Sequence, residues 1–257
     1  MDAMQTSFDF GYPWWLSYGH LAILFPALGA LWLGRTRAWP RWALIVLALI
    51  SAWALAALFV VGRFSPNTAP ALPTESFFRA GTGRMLDIGA GTGRSAIMAL
   101  RARPQATLVA LDQFGDSFGH HFGHDGPSPE ERLMTNLKAA GVDSRATIAK
   151  SDMRKLPFED AHFDAVLSAY AIDHVGGQGA RQALAEAARV LKPGGDFLLI
   201  LVGNDAWTRF AYGPLLSHGG TRGAAWWVAR AREAQFEVIE QGASPATIFL
   251  LLRRPRS

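Results

Sequence analysis

The chain has 257 residues, no cysteine, and 25 basic against 21 acidic side chains, a formal charge of +4. The missing cysteine excludes disulfides, cysteine-ligated zinc and thiol nucleophiles, and no basic run interleaves with aromatics, so nucleic acid is not an expected partner. Residues 1–64 hold only four Arg and two Asp, whereas the remaining 193 suit one α/β domain with a good core.

Two apolar segments come first. Residues 43–61, ALIVLALISAWALAALFVV, are 19 residues without a charge, and Ser51 carries the only hydroxyl. At about 1.5 Å per residue they cover roughly 28 Å, close to the bilayer core. Residues 16–33 form a weaker candidate, containing Tyr18, His20 and Pro26 behind the aromatic cluster Tyr12, Trp14 and Trp15. Proline is tolerated in membrane helices, and such aromatics suit an interface. The reading is an anchor over residues 1–64 with two spans, 16–33 and 43–61; a helix lying in the interface is the alternative for the first. A cleaved signal peptide fits poorly, because no Lys or Arg precedes Leu16 and a second apolar span follows. Arg35, Arg37 and Arg41 lie in the loop between the spans. The positive-inside rule would hold that loop in the cytoplasm, and a hairpin would then place the large domain outside. Residues 65–76, opening SPNTAPALPT with three prolines, read as a semi-extended linker to a domain over 77–257.

From residue 84 onward, apolar runs alternate with helical patterns in the manner of βαβ units. Expected strands cover residues 84–87, 107–111, 146–150, 163–169, 196–202, 236–241 and 246–252, and expected helices 95–103, 128–141, 179–191 and 221–234. Ser128-Pro129-Glu130-Glu131 is a strong helix start, with a serine cap, proline at the first position and glutamate three residues on. The first strand ends at Asp87 and runs into Gly89-Ala90-Gly91-Thr92-Gly93. Glycines turn tightly and let backbone approach a ligand, and the following helix presents free N–H groups. A dinucleotide loop would want G-x-G-x-x-G, but its last glycine position here is Arg94.

This loop resembles the cofactor loop of class I S-adenosylmethionine (SAM) dependent methyltransferases. Other motifs match in order: Asp112 about 20 residues on, Ser151-Asp152-Met153 after the third strand, FDAVLS over 163–168, and RVLKPGG over 189–195. The resemblance covers residues 77–254. It implies a Rossmann-like seven-stranded sheet with helices on both faces, and SAM as cofactor. It further implies that Asp87, Gly89, Ala90, Gly91 and Gly93 cradle SAM, with Asp112 and Gln113 at the ribose and Ser151, Asp152, Met153 and Ser168 also at the cofactor.

Methyl transfer needs alignment and exclusion of water more than a fixed catalytic group, and a base only where the acceptor is protonated. Two stretches are candidates for the acceptor side. In FGDSFGHHFGHD, residues 114–125, His121 and His124 with His120 could carry a base on a lid. The same stretch, with Asp116 and Asp125, offers metal-ligand types, or it is an inert polar loop; no metal is assigned. After the fourth strand stand Asp173 and His174, where the resembling enzymes often place a catalytic or substrate-contacting residue. His174 could equally pack against Gly176-Gly177. Trp226, Trp227, Arg230 and Arg232 suit either a membrane interface or a core helix.

The sequence therefore predicts a methyltransferase held at a membrane, its acceptor a hydrophobic or lipid-like small molecule. The expected place is a bacterial inner membrane with the catalytic domain facing the cytoplasm, where SAM is found. Two alternatives are a methyltransferase of a soluble small molecule tethered to a membrane partner and a non-catalytic SAM-binding membrane scaffold. Oligomeric state is not encoded in any pattern read here.

Overall fold

The computed structural model describes residues 8–62, 69–115, 126–203, 205–213, 222–244 and 247–256. His120, His121, His124, Asp116, Asp125, His218 and linker residues 65–68 fall outside them. The chain begins with three helices, α1 (Trp14–Tyr18), α2 (Leu21–Thr36) and α3 (Arg41–Val61). The first expected span is broken at Gly19, where a Cβ would lie 2.4 Å from the Trp15 carbonyl. That leaves α2 with 16 residues, and among the described residues α3 is the one helix long and apolar enough to cross a membrane. The two helices close tightly at Gly34, since a side chain there would lie 2.9 Å from Leu44 and Trp39.

The rest is a seven-stranded sheet in the order β3-β2-β1-β4-β5-β7-β6. Its strands are β1 (Thr82–Ile88), β2 (Gln105–Asp112), β3 (Ala146–Lys150), β4 (Phe163–Ala169), β5 (Leu191–Val202), β6 (Glu237–Ser244) and β7 (Thr247–Arg253). The five strands β1 to β5 pair parallel, and β7 inserts antiparallel between β5 and β6. Helices α4 (Arg94–Ala102), α5 (Pro129–Ala139), α6 (Gly176–Val190), α7 (Ala206–Tyr212) and α8 (Ala224–Glu233) complete the domain. The predicted capping box is present at α5, with Ser128 and Glu131 bonding each other's backbone. β5 starts five residues earlier than expected, because the Lys-Pro-Gly-Gly turn is drawn into the strand. The alternation of β5 places Phe197, Leu199 and Leu201 under α6 and α8, and Leu198 and Ile200 under α4 and α5. Two hydrophobic layers thus cover the two faces, as a buried parallel sheet requires.

Residues 8–12, which the sequence assigns to the anchor, pack on the sheet. Phe10 is fully buried among Phe77, Ile97, Leu100 and Leu133. Its carbonyl accepts the Thr92 hydroxyl at 3.0 Å. The Asn136 side chain accepts the Asp9 N–H and donates to the Asp9 and Thr92 carbonyls. The chain ahead of the helices is therefore strapped across the glycine loop. Phe10→Ala is expected to cost about 3–5 kcal/mol, the usual cost of emptying a buried phenylalanine site, and chemical denaturation followed by circular dichroism will measure it. The approach to β1 is held in a similar way: buried Arg103 donates to the carbonyls of Glu75, Phe77 and Phe78, and Asp196 accepts the Phe78 N–H.

Candidate active site

In open parallel sheets the ligand crevice lies beyond the carboxyl ends of the strands where the order reverses. Here that point is between β1 and β4. Gly89, Gly91 and Gly93 leave β1 with φ of 74°, 52° and 92°, left-handed values that favour glycine. The Gly89 and Ala90 N–H groups both donate to the Leu111 carbonyl, tying the loop to β2. Gly89 also permits close approach of the β4 loop, since a Cβ there would lie 2.2 Å from that of Ala171.

Asp87 lies beneath this loop with no solvent exposure. Its Oδ2 accepts the Ser95 hydroxyl at 2.6 Å, while its Oδ1 is buried with no hydrogen-bond partner among the described residues. Burial pushes the carboxyl up to about 7, against the Ser95 hydrogen bond and with help from the nearby Asp112 charge. A buried acceptor atom without a donor is costly, so the site suits a cationic or hydrogen-bonding group that the described residues do not supply.

Asp112 ends β2 and folds back on the loop, its two oxygens accepting the N–H groups of Gly91 at 2.9 Å and Phe114 at 3.0 Å. Gln113 beside it is exposed, and the Ser151 N–H donates to the Asp112 carbonyl, so the ends of β2 and β3 are joined. Asp152 pairs with Arg154 at 2.6 Å, and the Arg154 hydrogen bond holds its carboxyl below the usual range. Met153 stands over Gly89. Ser168 is fully buried and donates to the Ile88 carbonyl at 2.7 Å; it fixes the ends of β4 and β1 from beneath the loop.

The fourth strand leads into Tyr170, at φ 55°, and a short 3-10 turn, Ile172–Val175. The Tyr170 hydroxyl meets Thr247 at 2.8 Å. Asp173 accepts the Val202 N–H through Oδ2 at 3.3 Å, while its Oδ1 is buried with no hydrogen-bond partner among the described residues. His174 is half exposed, with Nε2 4.0 Å from Asp173 Oδ1, too far for a hydrogen bond. Asp173 and the Asp87 loop therefore come together, and His174 stands at the rim. Above them is Tyr12, which the sequence marked only as one of the interfacial aromatics and not as a site residue. Burial pushes its phenol up, the charge of Arg94 opposes this, and Tyr170 and Asp173 reinforce it. Of the candidate tryptophans, Trp227 is core, 2% exposed, whereas the Trp226 ring has the guanidinium groups of Arg222 and Arg230 over it at 4.3 and 5.3 Å. Among the described residues no group of three or more His, Cys, Asp or Glu could hold a metal.

This strand order, with a glycine loop over a buried strand-end carboxylate, defines the class I SAM-dependent methyltransferase fold. Residues 86–199 match the model of the methyltransferase domain family, and together with the fold this match supports a class I SAM-dependent methyltransferase, a class whose methyl donor is SAM. The chain is 32% identical over 144 residues to 27-O-demethylrifamycin SV methyltransferase of Amycolatopsis mediterranei, covering 54% of this chain and 45% of that one. It is 35% identical over 122 residues to a ubiquinone/menaquinone biosynthesis C-methyltransferase of Bartonella tribocorum, covering 47% and 42%. The chain thus spans less than half the length of these curated relatives. Among solved structures, an O-methyltransferase family protein of Burkholderia thailandensis superimposes with a TM-score of 0.58 at 16% identity, over 93% of this chain and 71% of that one.

Proposed function

We propose that this chain is a membrane-anchored methyltransferase that moves a methyl group from SAM to a hydrophobic or lipid-like small molecule. The observation that carries the acceptor class is α3. Its 21 residues reach about 30 Å at 1.5 Å each, and Trp42, Ile45, Leu49, Leu55 and Phe59 on it are more than half exposed. Exposed apolar surface of this size calls for a lipid or protein cover. Holding the site at a bilayer would raise the effective concentration of a lipid-soluble acceptor without added contacts. The relatives fit this class by their names, one acting in quinone biosynthesis and the other on a rifamycin. The reading places the domain on the cytoplasmic side of an inner membrane, where the cofactor is available.

When bound, SAM supplies an activated methyl on a sulfonium. Asp87 Oδ1, which no described residue hydrogen-bonds, would take the cofactor's ammonium group, with Ser95 holding the other oxygen. Gly89, Ala90, Gly91 and Gly93 would line its methionine end. Asp112, with Gln113, would exchange backbone donors for the ribose hydroxyls, and Asp152 with Ser151 and Met153 would flank the adenine. Asp173 would accept a hydrogen bond, and then the proton, from the acceptor, with His174 at the rim as the second group. The strap across the glycine loop, with Tyr12, would exclude water.

The test is to incubate methyl-labelled SAM with the detergent-solubilised protein and a whole extract of its host, then to partition the products. Label in the organic phase is expected. Label confined to the aqueous phase would replace the lipid reading with a soluble acceptor.

A further inference from the structure

The contact between the helical hairpin and the catalytic domain fixes how deep that domain sits. The buried positions of α3 are Ser51, Ala54, Ala57 and Val61, from its midpoint to its end. They form one stripe at helical spacing. The second half of α3 packs on α7: Ala57 and Val61 join Ala211 in a small core with Trp53 and Tyr212. Polar bonds lock the same seam. The Trp53 indole donates to the Phe210 carbonyl at 2.9 Å. The His20 Nε2 lies 2.7 Å from the Ala211 carbonyl, and the Tyr212 hydroxyl donates to the Leu16 carbonyl at 3.1 Å.

Trp53 is eight residues, about 12 Å, above the end of α3 at Val61. If α3 crosses the bilayer, α7 cannot lie below it; it lies level with the last two turns of the span. Its composition suits that depth. Phe210 is 40% exposed, and Arg209 in the last turn carries an exposed charge that can reach headgroups. On α1, joined to α7 through Leu16, Trp14, Trp15 and Tyr18 are each at least half exposed. Aromatic rings in this number, with arginine, are the composition of the membrane–water boundary. α7 also follows β5 directly, and the last residue of β5, Val202, donates to Asp173.

We propose that α1 and α7 form a collar seated in the headgroup layer of a phospholipid bilayer. The mouth beside Asp173 then opens onto the boundary, and an apolar acceptor enters sideways from the bilayer. This rests on the membrane reading of α3.

The absence of cysteine makes the test direct. Single cysteines replace Phe210 or Ala206 on α7, exposed Leu49 on α3, and exposed Ser144 in the 3-10 turn Asp143–Arg145, and each carries an environment-sensitive fluorophore. The proteins are reconstituted in phosphatidylcholine–phosphatidylglycerol vesicles with a nitroxide placed near the headgroup or near the chain end. Expected are loss of emission at 206 and 210 with the shallow quencher, loss at 49 with the deep quencher, and no loss at 144. Quenching at 49 without any at 206 or 210 overturns the collar while leaving the anchor. No quenching at 49 overturns the membrane reading and the collar with it. Equal quenching at all four sites overturns the collar, because no defined depth would exist.

Discussion

Asp87→Asn is expected to abolish detectable SAM binding and methyl transfer while making the unliganded protein more stable above pH 7. Both effects come from one buried carboxyl. In the folded chain it titrates near 7, raised by burial from an ordinary value of 3.8. Between these values the folded state holds a proton that the unfolded chain has released. Stability contributed by the protonated form is therefore fully present below about pH 4 and is lost as pH rises through 7. At about 1.4 kcal/mol per pH unit the penalty reaches at most about 4 kcal/mol, and it is flat above. Asparagine removes the charge, so the difference in melting temperature between variant and parent should grow from pH 4 to 7 and then level off. Thermal unfolding of both proteins across that range tests this, and a parent that is no less stable than the variant at pH 8 would refute it. In the parent, SAM binding should weaken by up to about tenfold per pH unit below 7, as Asp87 takes a proton and can no longer pair with an ammonium group. Equilibrium dialysis with labelled SAM measures that slope.

Asp173→Asn is expected to slow methyl transfer about 10²- to 10⁴-fold, the range for removal of a positioned base, with SAM affinity nearly unchanged. The amide is the same size and keeps an oxygen for the Val202 N–H, so folding should be little affected. What is lost is the second oxygen, which is buried with no hydrogen-bond partner among the described residues and lies 4.0 Å from His174 Nε2. Single-turnover transfer of labelled methyl into organic-phase product, measured beside SAM binding, separates the two effects. A rate within tenfold of the parent would reduce Asp173 to a brace for the end of β5.

Elements governed by neighbours in sequence were legible at once. The apolar runs of the strands, the capping box at Ser128 and Glu131, the glycine turn after Asp87 and the apolar length of α3 are each decided within a few residues. The order of strands and helices followed from them, and so did the class of cofactor. Boundaries slipped where a turn sequence could pair, as at Leu191–Val202. The seven-residue helix Ala206–Tyr212 was missed because its stability comes from packing on α3 and not from its own pattern.

Tertiary structure decided what no local rule reaches. Phe10 bonds Thr92 across 82 residues, Asp9 bonds Asn136 across 127, and His20 meets Ala211 across 191. These contacts pack the start of a stretch that reads as a membrane anchor against the glycine loop and bring Tyr12 near Asp173. The sequence named Asp87 and Asp173, but only the packing around them leaves one buried oxygen of each without a hydrogen bond from the described residues. Burial is a property of the surroundings, and most of these surroundings come from distant parts of the chain.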